Sequence, residues 1–153
     1  QPTPPEKAVD RKICTLHVYL SDTYVGRFDG SGIAVATPTG STAVALSAGG
    51  PVHYPNNNFS LQLTPLQTHN MGVRPVIFDA DTDLRVYSES EVNVMIDGGR
   101  EMKTLSPQTE LTISGADDSA ALIRTEFDDS FFDSLSDKLG WSLRNVDDKG
   151  PYM

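Results

Sequence analysis

The feature that most constrains the fold is a series of short runs in which apolar and polar residues alternate, each ended by turn residues. In the run at 14–20, every second residue is apolar, beginning with Cys14 and Leu16. A period of two places successive side chains on opposite faces of a half-buried strand. The sequence predicts other strands at 24–28, 33–36, 59–63, 76–78, 84–86, 92–96, 111–113 and 121–123. So many short strands, with only two predicted helices, favour a mainly β fold, a β-sandwich of antiparallel sheets with helical additions.

The first predicted helix lies within the stretch GSGIAVATPTGSTAVALSAGGP at 30–51. Pro38 and Gly40 break the strand at 33–36, residues 41–48 are small and compatible with a helix, and the Gly-Gly-Pro at 49–51 ends it. Thr39 or Ser41 is placed to cap its first turn. Hydroxyls and backbone N–H groups converge at this corner and suit a phosphate, a ribose or a carboxamide. Plain capping of the helix remains the alternative, and the Gly-Lys-Ser/Thr ending of a P-loop is missing.

A second helix is predicted near the end of the chain. Phe132, Leu135 and Leu139 would share one face of it, and Gly140 would end it. An aspartate at 128 or 129 would cap its start.

Charge and cysteine content limit the partners and the compartment. The 12 Lys and Arg against 21 Asp and Glu give a net charge of −9, which argues against nucleic acid and anionic membrane surfaces as partners. No apolar run is long enough for a transmembrane helix. The single cysteine, Cys14, excludes an internal disulfide and fits a reducing compartment, so a cytoplasmic location is expected. The acidic turn at 79–83 lacks the EF-hand pattern, and no metal site is predicted in this chain.

One long motif is specific: TPTGSTA at 37–43, followed by LSAGGP at 46–51. Shorter matches continue in the same order with LTPL at 63–66, His69, RP at 74–75, DG at 97–98 and FFDSL…KLGW at 131–141. Together they closely resemble the C-terminal domain of the NAD kinase family over nearly the whole chain. The resemblance implies a β-sandwich that builds a homodimer or homotetramer.

The resemblance also implies an activity. Family members transfer a phosphoryl group from ATP, or in some from polyphosphate, to the 2′-hydroxyl of the adenosine ribose of NAD, giving NADP, and phosphoryl transfer needs Mg²⁺. Their site lies between this domain and an N-terminal α/β domain carrying Gly-Gly-Asp-Gly and an Asn-Glu/Asp pair. Neither motif occurs in this sequence. We therefore expect no catalytic residue here, and no kinase activity without the N-terminal domain.

Matching the motif residue by residue implies that the NAD contacts of this chain are Ser31, Thr39, Ser41, Thr42, Ala43, Ser47, Thr64, Leu66 and His69. For His69, a hydrogen-bonded structural role is an equal alternative. Ser31 stands where the family usually has Asp between two glycines, and Val44 stands where it usually has Tyr. The first difference removes a charge from the nicotinamide end of the implied site, and the second removes a stacking surface for the ligand.

The predicted organisation is an extended segment at 1–12, the domain at 13–142 and a flexible tail at 143–153. The leading hypothesis is the NAD-binding and oligomerisation domain of an NAD kinase, with its own N-terminal α/β domain as partner. Two alternatives stay open: a non-catalytic NAD(P)-binding regulatory module, and a structural oligomerisation domain.

Overall fold

The computed structural model of the protein describes residues 13–55, 59–117, 125 and 130–141. The chain divides into two compact units, 1–117 and 118–153, and each is described by itself. The predicted end segments at 1–12 and 143–153 and the predicted strand at 121–123 lie outside the described residues. No helix among the described residues has the length and apolar character needed to cross a membrane.

The first unit is built from antiparallel strands. In chain order they are β1 Cys14–Leu20, β2 Thr23–Gly30, β3 Gly32–Ala36, β4 Ser60–Leu66, β5 Val76–Asp79, β6 Leu84–Ser88, β7 Val92–Ile96, β8 Glu101–Leu105 and β9 Glu110–Ile113. They form a four-stranded sheet in the order β2-β1-β6-β9, a three-stranded sheet in the order β3-β4-β5, and the two-stranded hairpin β7-β8. Every pairing within these sheets is antiparallel.

The apolar core lies between the two larger sheets. Leu16 and Val18 of β1 and Leu84 of β6 come from the four-stranded sheet, and Leu61 and Leu63 of β4 come from the three-stranded sheet. These side chains are 0–7% exposed. Because the alternating residues of each strand meet those of the facing sheet, the predicted mainly β sandwich is confirmed.

Strand β4 is buried on both of its faces. Gln62 and Thr64, which face away from the core, are fully buried. Their partners in β3 are the small residues Ala36 and Ala34. Since alanine side chains barely rise above the sheet, the following segment can lie close over this outer face, and that is where the predicted corner is found.

The two larger sheets also meet where β2 runs into β3. The amide of Ser31 donates to the carbonyl of Leu66 at 3.0 Å, and the amide of His69 donates to the carbonyl of Asp29 at 3.0 Å. A Cβ on Gly30 would lie 2.7 Å from the carbonyl oxygen of Leu66, so this crossing requires glycine.

The second unit contains the helix Phe131–Leu139, here called α2. Its predicted end at Gly140 is confirmed, with a left-handed φ of 63°. The predicted aspartate cap at 128 or 129 is wrong, because Ser130 is the cap: its hydroxyl accepts from the amide of Asp133, whose carboxylate accepts from the amide of Ser130. Leu135 is buried, whereas Phe132 is 40% exposed.

Candidate functional site: a polar corner and its pocket

The corner after β3 forms a turn and a very short helix. Residues Thr39–Thr42 make a 3₁₀ turn, and Val44–Ser47 make the single helical turn α1 directly after the TPTGSTA run. Neither has a side-chain cap, so the prediction that Thr39 or Ser41 caps a helix is wrong. The helix predicted at 41–48 is thus split and only four residues long, too short to present the dipole of a full helix.

The hydroxyl of Ser41 is turned inward instead. It accepts a hydrogen bond from the amide of His53 at 3.0 Å and donates to the carbonyl of Pro38 at 2.6 Å. The imidazole Nε2 of His53 then lies 3.0 Å from the hydroxyl of Ser60 at the start of β4. Through these hydrogen bonds, both ends of the corner are attached to the outer face of the three-stranded sheet.

Gln62 and Thr64 extend this group of hydrogen-bonded side chains. Together with Ser41, His53 and Ser60 they form what is here called the polar layer. The amide Nε2 of Gln62 donates to Oγ1 of Thr64 at 2.9 Å, and a Cβ on Gly50 would overlap that Nε2. Gln62 Oε1 and His53 Nδ1 are buried without a hydrogen-bond partner among the described residues. The polar layer therefore lies directly beneath the corner. Because Gly50 has no side chain, the backbone can pass close over the layer at that residue.

A pocket of about 260 Å³ opens between α1 and the end of β4. It is lined by Ser31, Val44, Ser47, Ala48, Leu66 and Gln67. Sites for whole drug-sized ligands usually have about 300–1,000 Å³, so this pocket is small. It is also open to solvent, because Ser31, Val44, Ser47 and Gln67 are exposed.

Three of the site residues implied by the sequence meet at this pocket: Ser31, Ser47 and Leu66. The hydroxyl of Ser31 donates to Oε1 of Gln67 at 2.7 Å, and that of Ser47 donates to the carbonyl of Val44 at 2.8 Å. Both hydroxyl oxygens keep acceptor capacity, and the Gln67 amide keeps its N–H donors.

Gln67 is a pocket residue that sequence reasoning missed. It directly follows the LTPL run and has a φ of 45°, in the left-handed region that residues other than glycine rarely adopt. A positive φ cannot be read from a glutamine in the sequence, so only its position next to the motif could have pointed to it.

The other implied residues lie elsewhere. Ser41 and Thr64 are fully buried, with their hydroxyls bonded within the polar layer. Thr42 lies in the 3₁₀ turn, where its hydroxyl donates to the carbonyl of Thr39 at 3.2 Å, and Ala43 follows it. His69 is exposed beyond the end of β4.

The nearest acidic residue before the pocket in sequence is Asp29. A hydrogen bond from the Thr15 hydroxyl at 2.7 Å, together with Arg27, holds the pKa of this carboxyl below its usual range. The carboxylate is thereby ionised and engaged on the outer face of the four-stranded sheet. Among the described residues, no group of three or more His, Cys, Asp or Glu side chains could hold a metal ion.

A two-sheet sandwich with a polar corner and a small, open pocket defines a β-domain with a candidate small-molecule site. The chain belongs to the NAD kinase family, because the family model of the ATP-NAD kinase C-terminal domain matches residues 6–125.

Curated relatives support the same family assignment. The NAD kinase of Fusobacterium nucleatum is 33% identical over 135 residues, which cover 87% of this chain and 50% of the relative. The NAD kinase of Francisella tularensis subsp. novicida is 36% identical over 131 residues, which cover 83% and 43%. The chain therefore spans about half the length of the curated relatives it matches.

Solved structures share the fold. An NAD kinase from Archaeoglobus fulgidus in complex with ATP has a TM-score of 0.60 and 28% identity, over 71% of this chain and 41% of the other. Yeast NADH kinase complexed with NADH has a TM-score of 0.71 over 90% of this chain and 43% of the other. At 22% identity, the yeast likeness shows the fold alone.

Proposed function

We propose that this chain is the C-terminal, dinucleotide-binding and oligomer-forming half of an NAD kinase. The whole enzyme would transfer a phosphoryl group from ATP to the 2′-hydroxyl of the adenosine ribose of NAD. The observation that carries the proposal is the family match over residues 6–125, which includes an intact TPTGSTA run. The matched relatives are about twice as long as the region shared with this chain, which leaves room in them for a catalytic α/β half.

We assign this chain a binding role rather than a catalytic one, as the resemblance implies. Phosphoryl transfer depends on metal ions and on groups that neutralise the developing charge. The resemblance implies that the metal-linked Asp belongs to the N-terminal half, and we propose that half as the source of the Mg²⁺ ligands. Among the described residues, no group of three or more His, Cys, Asp or Glu side chains could hold a metal ion. The pocket of this chain would hold and orient one end of the dinucleotide.

Two measurements on the 153-residue chain test this division. With ATP, Mg²⁺ and NAD it should form no NADP, whereas calorimetric titration should detect binding of the dinucleotide. Ser47→Phe, which fills the pocket, should weaken binding at least tenfold. The same change at exposed Ser106, which lies in a loop after β8, is the matched control.

The outcomes separate the candidates. NADP formed by the chain alone would refute the division of roles. No binding to the wild-type chain would leave a structural oligomerisation domain as its function.

A second candidate function is a non-catalytic NAD(P)-binding regulatory module. It is favoured by Ser31 and Val44, which stand where the family usually has Asp and Tyr. Addition of the N-terminal half of the Fusobacterium nucleatum relative distinguishes the two. Restored NADP formation supports the kinase, and binding without any activity supports the module.

We also propose that the chain self-associates and acts in the cytoplasm. Strand β2 is an edge strand with exposed Tyr24 and Val25, a type of edge that proteins usually cover. Sedimentation at about tens of micromolar, where weak interfaces are populated, should show a dimer or tetramer. A monomer would contradict this part of the proposal.

A further inference from the structure

The outer face of the four-stranded sheet carries a cluster of aromatic side chains around His17. His17 of β1 lies opposite Tyr87 of β6 in the sheet, and the centroids of their rings are 6.2 Å apart. Two residues later, Tyr19 lies opposite Tyr24 of β2, with ring centroids 5.0 Å apart. The Tyr24 ring also stacks on that of His17 at 6.1 Å. Because aromatic pairs across strands stabilise one another, these rings pack as one group.

A β-bulge places Tyr24 in this cluster. The register between β1 and β2 shifts by one residue, so that Gly26 pairs with Val18 whereas Tyr24 pairs with Tyr19. Side chains alternate between the two faces of a strand, so an unbroken register would turn Tyr24 toward the core face, which Val18 occupies. Bulges are frequent beside active sites, where they redirect a side chain. Here the bulge brings the phenol of Tyr24 to the same face as His17.

His17 has a hydrogen-bond partner on each side of its ring. Its Nε2 lies 2.8 Å from a carboxylate oxygen of Glu89, the residue directly after β6, and its Nδ1 lies 3.0 Å from the Tyr24 hydroxyl. An ionised carboxylate only accepts, so in the neutral imidazole Nε2 carries the hydrogen and Nδ1 keeps a lone pair. The Tyr24 hydroxyl therefore donates to Nδ1, and the phenol proton already points at a base.

A hydroxyl next to a base that a third group orients is the arrangement of an activated nucleophile. The hydroxyl is weak until the base takes its proton, and the orienting group keeps the base in the correct tautomer. Tyr24 is 49% exposed, so a reagent can reach it. Its ring stands on the face of the sheet, so another strand pairing along the β2 edge would leave it accessible.

The charges around the cluster favour an uncharged reagent. Arg27 pairs with Asp29 at 3.0 Å, and Arg85 lies 3.5 Å from Asp22 and 3.8 Å from Glu110. An anionic reagent would have to displace one of these carboxylates. The net charge of −9 also repels anions at long range.

We propose that Tyr24 is a nucleophilic tyrosine and a site of covalent modification, with His17 as its general base and Glu89 as the positioning residue. It takes an uncharged, tetrahedral sulfonyl or phosphoryl electrophile. The phenol oxygen forms a bond to sulfur or phosphorus, and the leaving group departs with its electron pair. The phenol proton passes to Nδ1 of His17 and then to water. The inference does not depend on the proposed function, because none of these residues lines the pocket.

The test treats the 153-residue chain with benzenesulfonyl fluoride, which releases fluoride, and measures the labelling rate of each tyrosine by peptide mass spectrometry. Tyr54 is the internal reference, since it is 52% exposed against 49% for Tyr24. A positioned general base contributes about 10²–10⁴-fold in enzymes, so Tyr24, with a partly exposed base, should react at least about tenfold faster than Tyr54.

Variants separate base action from packing. His17→Ala should slow the labelling of Tyr24 about tenfold, to the rate of Tyr54, and added imidazole should restore part of it. Glu89→Gln should also slow it, but should add nothing to His17→Ala, because Glu89 acts through His17. Glu91→Gln makes the same change at an exposed position two residues later and should keep the wild-type rate.

Urea unfolding checks that each variant is folded, and if His17→Ala is not, Glu89→Gln carries the test because it removes the charge without changing the size. Equal labelling rates of Tyr24 and Tyr54 would overturn the inference. A fast Tyr24 that neither variant slows would do the same, because the base would not be the cause. A loss in folded His17→Ala that imidazole does not restore would mean that His17 only packs against the ring, and a loss in Glu91→Gln equal to that in Glu89→Gln would remove the role of Glu89.

Discussion

Replacing Gly30 with alanine should loosen the crossing between the two sheets. The added Cβ would lie 2.7 Å from the carbonyl oxygen of Leu66, 2.9 Å from that of Gln67 and 3.0 Å from Cα of Thr68. All three are backbone atoms, so no flexible side chain can move aside. The segment 66–68 must shift, which also displaces the Leu66 and Gln67 side of the pocket.

The expected cost combines two effects. Overpacking of this kind costs about 1–3 kcal/mol. The shift also stretches the hydrogen bonds from the amides of Ser31 and His69, each with a net contribution of about 1 kcal/mol. We expect the free energy of unfolding to fall by about 2–4 kcal/mol, which is about 1–2 M in the urea midpoint for a slope near 2 kcal/mol per molar.

Urea unfolding followed by far-UV circular dichroism measures this loss. Gly40→Ala is the matched control, since its Cβ would meet only Ala36 and Thr37 side-chain atoms, both at 3.5 Å. The control should leave stability unchanged or raise it by up to about 1 kcal/mol. If Gly30→Ala unfolds at the same urea concentration as Gly40→Ala, the close approach at Gly30 does not limit the fold, and the reasoning is refuted.

Three further perturbations test the polar layer, the core and the outer face of the four-stranded sheet. Ser41→Ala should destabilise the fold by about 1–3 kcal/mol, because the amide of His53 loses its partly buried acceptor; an unchanged urea midpoint would contradict this. Burial raises the pKa of the Cys14 thiol, so native protein should react with iodoacetamide far more slowly than urea-unfolded protein, and equal rates would rule out a closed core there. The Thr15 hydrogen bond lowers the folded-state pKa of Asp29, so its stabilisation is complete above the unfolded value near about 3.9 and is lost as pH falls through the lower folded value. Asp29→Asn should therefore lose less stability than wild type between about pH 5 and pH 2 in thermal melts, and parallel pH curves would contradict the assignment.

Most of the strands were predictable because their signal is local, whereas β8 at Glu101–Leu105 was not among the predicted strands. Alternation at 14–20 predicts β1, and the turn at 21–23 predicts that 24–28 returns as the second arm of a hairpin. The structure pairs the two strands from Leu20↔Thr23 to Cys14↔Gly30. A period of two needs only neighbouring residues, and burial of one face against the opposite sheet preserves it. The alternation of Leu61 and Leu63 likewise predicts β4, but it cannot say that the other face is covered.

The corner was less predictable because its contacts are distant in sequence. Capping rules expect Ser41 to bond within its own turn, yet its hydroxyl also accepts from the amide of His53, twelve residues later. Ser31, Ser47 and Leu66 came from the resemblance to a family motif rather than from any local pattern. Gln67 joins them through a backbone conformation that its residue type does not announce.

Strand β4 also bears on how a family of such domains can diverge. Leu61 and Leu63 point into the core, while Leu66 at the far end of the opposite face borders the pocket. Because alternate residues of this strand face the core and the opposite side of the sheet, a substitution that changes the shape of the pocket need not disturb core packing. A lineage can therefore change its ligand preference one residue at a time while the sandwich keeps its stability.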